Sequence, residues 1–141
     1  MTSPFVLRFD EVGIGDIPRV GGKNASLGEM FRELSGQGVK VPPGFAITAE
    51  AYRYFLCENG LDIRIPELLS GLNTNDIDNL RERGHRVRQA ILQAELPNSL
   101  QRAVVDAYEQ LSEPFGLQDR LPHAMSAFPQ VVDVVGVQAR K

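Results

Sequence analysis

Val20-Gly21-Gly22-Lys23-Asn24-Ala25-Ser26-Leu27-Gly28-Glu29 is the stretch on which the reading of this chain turns. Two glycines leave room for a backbone to come close to a bulky anion, because neither carries a Cβ. A helix start just beyond them would offer N–H groups and the positive end of a helix dipole. Lys23 adds a mobile full charge at the same place. The same residues also read as a plain loop with a solvated lysine in front of a helix. On the residues alone both readings stand. The Walker A spacing GxxxxGK[ST] is absent.

Beyond Lys23, the spacing of Leu27, Met30, Phe31 and Leu34 predicts a helix with these residues on its buried stripe. Asn24 or Gly22 is expected at its cap. Gly28 lies inside that helix, where glycine costs about 1 kcal/mol against alanine. Its presence there points to another backbone passing close by. Ser35-Gly36-Gln37-Gly38 supplies glycines for a left-handed stop. Upstream, Phe5-Val6-Leu7-Arg8-Phe9 reads as a strand with Phe5, Leu7 and Phe9 on one face, and Asp10 to Pro18 as a loop.

Downstream, Val39-Lys40-Val41 leads into the rigid turn Pro42-Pro43-Gly44. Phe45-Ala46-Ile47 reads as a short strand. Thr48 is expected to cap a helix from Ala49 to Glu58, with Tyr52, Phe55 and Leu56 on its apolar face and Asn59-Gly60 as its stop. Leu61 to Asn75 reads as connecting chain. Thr74 or Asn75 is expected to cap a long helix to Gln93, with Ile77, Leu80, Gly84, Val87 and Ile91 along one stripe. Arg81, Glu82, Arg83, Arg86 and Arg88 fall largely off that stripe and read as a solvated face. Leu96-Pro97 breaks the pattern. A last helix is expected from a cap at Asn98 or Ser99, with Leu100, Val104, Ala107 and Leu111 inward and Pro114 and Gly116 at its end. The remainder, Leu117 to Lys141, fits this pattern poorly and holds one strongly β-prone run, Val131-Val132-Asp133-Val134-Val135.

The chain has 141 residues, 43% hydrophobic and 23% charged, which is room for one domain with an ordinary core. Its net charge of −3 argues against nucleic acid or an anionic membrane as the main partner. The single cysteine, Cys57, excludes an internal disulfide and reads as a small buried or half-buried side chain. His85 and His123 lack the spacing of a zinc site, so no metal ligand is assigned, and His85 reads as a helix-surface residue. The N-terminus lacks the pattern of a signal peptide, and no run reaches the ~20 apolar residues of a membrane span. The expected compartment is the cytoplasm.

Three runs, in order, resemble the amino-terminal segment of the phosphoenolpyruvate synthase (pyruvate, water dikinase) family. They are Val20 through Met30, then Gly38-Val39-Lys40-Val41-Pro42-Pro43-Gly44-Phe45-Ala46-Ile47-Thr48, then Ala51-Tyr52-Arg53-Tyr54-Phe55-Leu56. Pyruvate, phosphate dikinases and rifampicin phosphotransferases open similarly, and they stay as alternative relatives. The resemblance implies an α+β fold that is the N-terminal part of an ATP-grasp nucleotide-binding domain, with a helix-rich second half. Residues 1–116 would be that partial domain and 117–141 a divergent tail. The implied reaction converts ATP, pyruvate and water into AMP, phosphoenolpyruvate and phosphate, with Mg²⁺. By the same resemblance Lys23 matches a lysine that contacts the nucleotide phosphates. Gly21 and Gly22 are read as leaving room for them.

The family's Val-Arg-Ser-Ser-Ala type motif is absent, and Arg140 is not equated with its arginine. Neither His85 nor His123 matches a phosphohistidine motif. The metal ligands of such enzymes would lie in segments that this chain does not contain. A chain of this length is therefore expected to be non-catalytic alone. The alternatives are a nucleotide-binding or interaction module, with ATP and a full-length dikinase chain as partners, and a truncated remnant whose tail arises from a frameshift or early stop.

Overall fold

The computed structural model describes residues 5–115. The expectations placed on Gly116, His123, Val131–Val135, Arg140 and the tail from Leu117 lie outside these residues. The chain divides into two units, Met1–Val104 and Val105–Lys141.

In the first unit, β1 (Val6–Arg8) pairs antiparallel with β2 (Phe45–Ile47), with Leu7 opposite Ala46. The strand is shorter than its five-residue pattern. Val6 and Leu7 are both buried, and Phe9 leaves the strand in a 3₁₀ turn, Phe9–Glu11. Leu7 and Phe9 still meet in the core, but the strand itself ends at Arg8. Phe9 instead donates its N–H to the Gly44 carbonyl at 2.9 Å, which binds the end of β1 to the turn before β2.

The expected loop from Asp10 to Pro18 is also more ordered than its glycines suggest. It contains a second 3₁₀ turn, Ile14–Asp16, which runs into α1 (Ile17–Ser35). Leu7, Val12, Val20, Ala25 and Ala46 form one buried cluster with Phe9 packed against it. Val12 is 0% exposed. Burying a valine of this kind is worth about 1.5–3 kcal/mol.

The buried residues of α1 are Val20, Ala25 and Gly28. The expected stripe is displaced: Leu27, Phe31 and Leu34 are half-buried and Met30 is exposed. The small residues win the inner position because Val12 lies directly on the helix there. A Cβ built on Gly28 would stand 2.5 Å from the Val12 carbonyl oxygen. The close backbone expected from a glycine at this position is therefore present. At the helix end, Gly38 takes the left-handed conformation at φ +81°, while Gly36 remains helical.

Thr48 caps α2 (Ala49–Glu58) as expected, its side chain accepting the Ala51 N–H at 3.2 Å. The inner face of α2 is Ala51 and Phe55, with Tyr52 turned to solvent. Cys57 is exposed, contrary to the burial expected from its apolar neighbours, because it lies off that face. Tyr54 stacks on Phe5 with ring centroids 4.9 Å apart and accepts the Ser99 hydroxyl at 3.1 Å.

The segment read as connecting chain holds a helix, α3 (Leu61–Leu69). Pro66 sits inside it and forgoes one N–H bond. The buried Leu61 anchors the helix start, and α3 packs on both α2 and α4 (Ile77–Leu92). Tertiary contact thus outweighs the breaker.

The cap of α4 is Asp76 rather than Thr74 or Asn75. Its carboxylate accepts the N–H groups of Asp78 and Asn79. Only Ala90 is buried on α4, and Ile77 and Leu80 are exposed. Of the charged set, Arg81, Glu82, Arg86 and Arg88 are exposed, with Arg86 paired to Glu82. Arg83 departs from it, donating to the Leu68 carbonyl at 3.0 Å. His85 is on the helix surface as expected.

α5 spans Asn98–Ser112. The Pro97 carbonyl accepts the Gln101 N–H, so Pro97 precedes the helix and Asn98 and Ser99 lie within it. Leu100 and Val104 are buried. In the second unit the described residues complete α5, with Ala107 and Leu111 half-buried, and end in a 3₁₀ turn, Glu113–Phe115. The described chain is therefore helix-rich with one small sheet, an α+β arrangement. None of its helices is long and apolar enough to cross a membrane.

Candidate functional site

The helix α1 is broken once. Gly21 has φ +78° and ψ 160°, outside the helical region, so the turn Ile17–Val20 and the long helix from Gly22 meet at an angle there. A residue with a Cβ rarely adopts that φ, which explains the first glycine of the pair. Gly21, not Asn24, holds the cap position of the long helix. Asn24 faces the other way, its Nδ2 donating to the Val20 carbonyl at 2.9 Å across the break.

Gly22 and Lys23 follow in the first turn and are exposed. Among the described residues, and apart from the adjoining residues and the helix's own backbone, no atom lies within 4 Å of a Cβ built on Gly21 or Gly22. The Lys23 side chain makes no hydrogen bond or ion pair with another described residue. Its ammonium is therefore uncommitted, beside open backbone and at a helix start. Arg19, the neighbouring cation, is tied to Asp16 at 3.3 Å.

The loop in front of the break is held by residues that the sequence reading had not singled out. The Gly13 N–H donates to the Asp16 carboxylate at 3.1 Å, and the Ile14 N–H donates to Glu29 Oε2 at 3.1 Å. Glu29 lies one residue beyond the Gly28–Val12 contact. A glutamate after a glycine in a helix carries no special spacing signal, so its partner had to come from the fold. Gly44 is similar: a Cβ there would run into the Phe9 ring.

Among the described residues no group of three or more His, Cys, Asp and Glu is placed to hold a metal ion. Cys57 and His85 stand on the surfaces of α2 and α4 without such a cluster around either.

Comparison with known proteins bears directly on this helix. The family model for the pyruvate phosphate dikinase AMP/ATP-binding domain matches residues 17–127. The phosphoenolpyruvate synthase of Aquifex aeolicus is 53% identical over 110 residues, 78% of this chain and 13% of that protein. The phosphoenolpyruvate synthase of Synechocystis is 50% identical over 111 residues, covering 79% of this chain and 14% of that protein. That of Escherichia coli is 47% identical over 111 residues, again 79% and 14%. The chain thus spans about 14% of the length of the curated relatives it matches. The matched region begins with α1, includes the break at Gly21 and the contact at Gly28, and extends over more than half of the chain, so the chain belongs to the pyruvate phosphate dikinase AMP/ATP-binding domain family.

Proposed function

We propose that this chain is the phosphate-holding part of the ATP-binding domain of a phosphoenolpyruvate synthase, with an ATP-grasp fold, and that it is not catalytic alone. The observation that carries the reading is the uncommitted Lys23 ammonium beside the open, left-handed break at Gly21. Kinship with phosphoenolpyruvate synthases supports ATP as the ligand.

In this reading Lys23 holds the nucleotide phosphates and offsets charge as a phosphoryl group departs. Gly21 and Gly22 let those phosphates reach the helix start, where N–H groups and the helix dipole favour an anion. The whole enzyme would use ATP, pyruvate and water to make AMP, phosphoenolpyruvate and phosphate. Mg²⁺ would neutralise phosphate charge in that reaction. The described residues do not fit the ion, since they include no acidic cluster to hold it. The phosphoryl acceptor and the pyruvate site would belong to the parts of such enzymes that lie beyond the 14% spanned here.

Titration calorimetry of Mg·ATP into the full chain tests the reading. Saturable binding that weakens about tenfold in Lys23→Ala, roughly 1.4 kcal/mol, supports it. Absence of binding by a folded chain overturns it.

A further inference from the structure

Gly21 is a soft point. Glycine adopts φ values of either sign with similar ease, so the residue itself does not choose φ +78°. Something outside it must hold the two sides of the break in place. The Asn24–Val20 bond is local and spans only the break. Val20 and Ala25, on either side of the break, pack into the buried cluster, a contact without direction. Two more contacts reach further along the chain. Val12 rests on Gly28, and the Ile14 N–H donates to the Glu29 carboxylate at 3.1 Å. Together they close the chain from Ile14 to Glu29 into a loop whose one left-handed residue is Gly21. The Val12 contact is packing and has little directional preference. The Glu29 bond is charge-assisted and aimed at a single N–H.

We infer that Glu29 is a positioning residue for the Gly21–Lys23 turn. Its carboxylate pins the Ile14–Asp16 turn, which runs without interruption into Ile17–Val20, and so sets the angle at which the chain enters the Gly21 break. The inference rests on the reading of that turn as a phosphate site only for its effect on nucleotide binding. Its effect on the order of the turn stands apart from that reading.

Two variants remove the bond from opposite ends. Glu29→Ala deletes the acceptor. Ile14→Pro deletes the donor at low risk to the fold: Ile14 is 54% exposed, it is the first residue of a 3₁₀ turn, and Gly13 before it is extended at φ −142° and ψ −175°. Glu29→Gln keeps an acceptor oxygen. The order of the backbone at Gly22, Lys23 and Asn24 is followed by ¹⁵N relaxation in the full chain, with Mg·ATP affinity measured alongside.

The expected result is a lower order parameter at these residues, falling from about 0.85 towards about 0.6, in both Glu29→Ala and Ile14→Pro. The double variant should go no further than either single one, and Glu29→Gln should recover most of the order. Weaker nucleotide binding should accompany the loss. Unchanged order at Gly22–Asn24 in folded Ile14→Pro overturns the inference, as does simple additivity in the double variant. If Lys23→Ala leaves nucleotide binding unaltered, the phosphate reading fails, and the relaxation data still decide the role of Glu29.

Discussion

Gly28 and Val12 are in direct backbone contact: a Cβ at position 28 would lie 2.5 Å from the Val12 carbonyl oxygen and 2.9 Å from its carbonyl carbon. The obstacle is main chain in a fully buried residue, so it cannot swing aside. Gly28→Ala gains helix propensity of about 1 kcal/mol and loses more to overpacking. A net destabilisation of about 1–3 kcal/mol is expected, read from urea denaturation midpoints at unchanged m. Unchanged stability would show that the loop does not sit on the helix in this way.

The two glycines of the break should respond in opposite senses. Gly21 holds φ +78°, so Gly21→Ala should cost about 1–3 kcal/mol. Gly22 is not at positive φ and has open space around it, so Gly22→Ala should be neutral or stabilising by up to about 1 kcal/mol. Thermal unfolding separates the two. If Gly22→Ala stabilises the fold and still weakens Mg·ATP binding, its smallness serves the ligand; equal binding would remove Gly22 from the site.

The Asn59 side chain pairs with Glu95 in both directions. Its Nδ2 donates to the Glu95 carbonyl at 3.0 Å, and its Oδ1 accepts the Glu95 N–H at 3.0 Å. This ties the end of α2 to the chain just ahead of α5. The same Nδ2 also donates to the Phe55 carbonyl at 2.9 Å. Asn59→Ala loses all three bonds and should cost about 1–2 kcal/mol. Asn59→Asp keeps the acceptor but sets a carboxylate against two carbonyl oxygens at the C-terminal end of α2, so it should cost at least as much. An aspartate variant as stable as wild type, by denaturation midpoints, would contradict the paired geometry.

Thr48 is 2% exposed and caps α2 through its hydroxyl. Thr48→Ala should destabilise by about 1–2 kcal/mol. Thr48→Ser restores the cap oxygen and omits a buried methyl, and it should fall between the two. A serine variant no better than alanine, by thermal melts, would assign the loss to packing.

If Lys23 meets phosphate from an exposed position, its contribution is open to screening. The difference in Mg·ATP affinity between wild type and Lys23→Ala should shrink as salt rises towards about 1 M, where the Debye length is ~3 Å. A difference that survives such salt would place the ammonium in a shielded contact instead.

Much of the architecture is local and could be read directly. Thr48 as a cap, the strand Phe45–Ile47, the stop at Asn59-Gly60 and the tight approach at Gly28 all follow from residue chemistry within a few positions. The family motifs around Gly21–Lys23 were legible for the same reason, being contiguous in the chain. What escaped was set by contacts between distant segments. α3 forms across Pro66 because its buried Leu61 and its neighbours α2 and α4 hold it, and periodicity does not record neighbours. Met30 and Tyr52 face solvent because Gly28, Ala51 and Phe55 fill the inner positions.

The sequence by itself determined which residues make the glycine-lysine turn and that a helix follows it, since spacing and glycine conformations are properties of short segments. Only the tertiary structure decided that Ile14 meets Glu29 and Val12 meets Gly28, because those pairs are 15 and 16 positions apart and their contact depends on how the loop folds back onto α1.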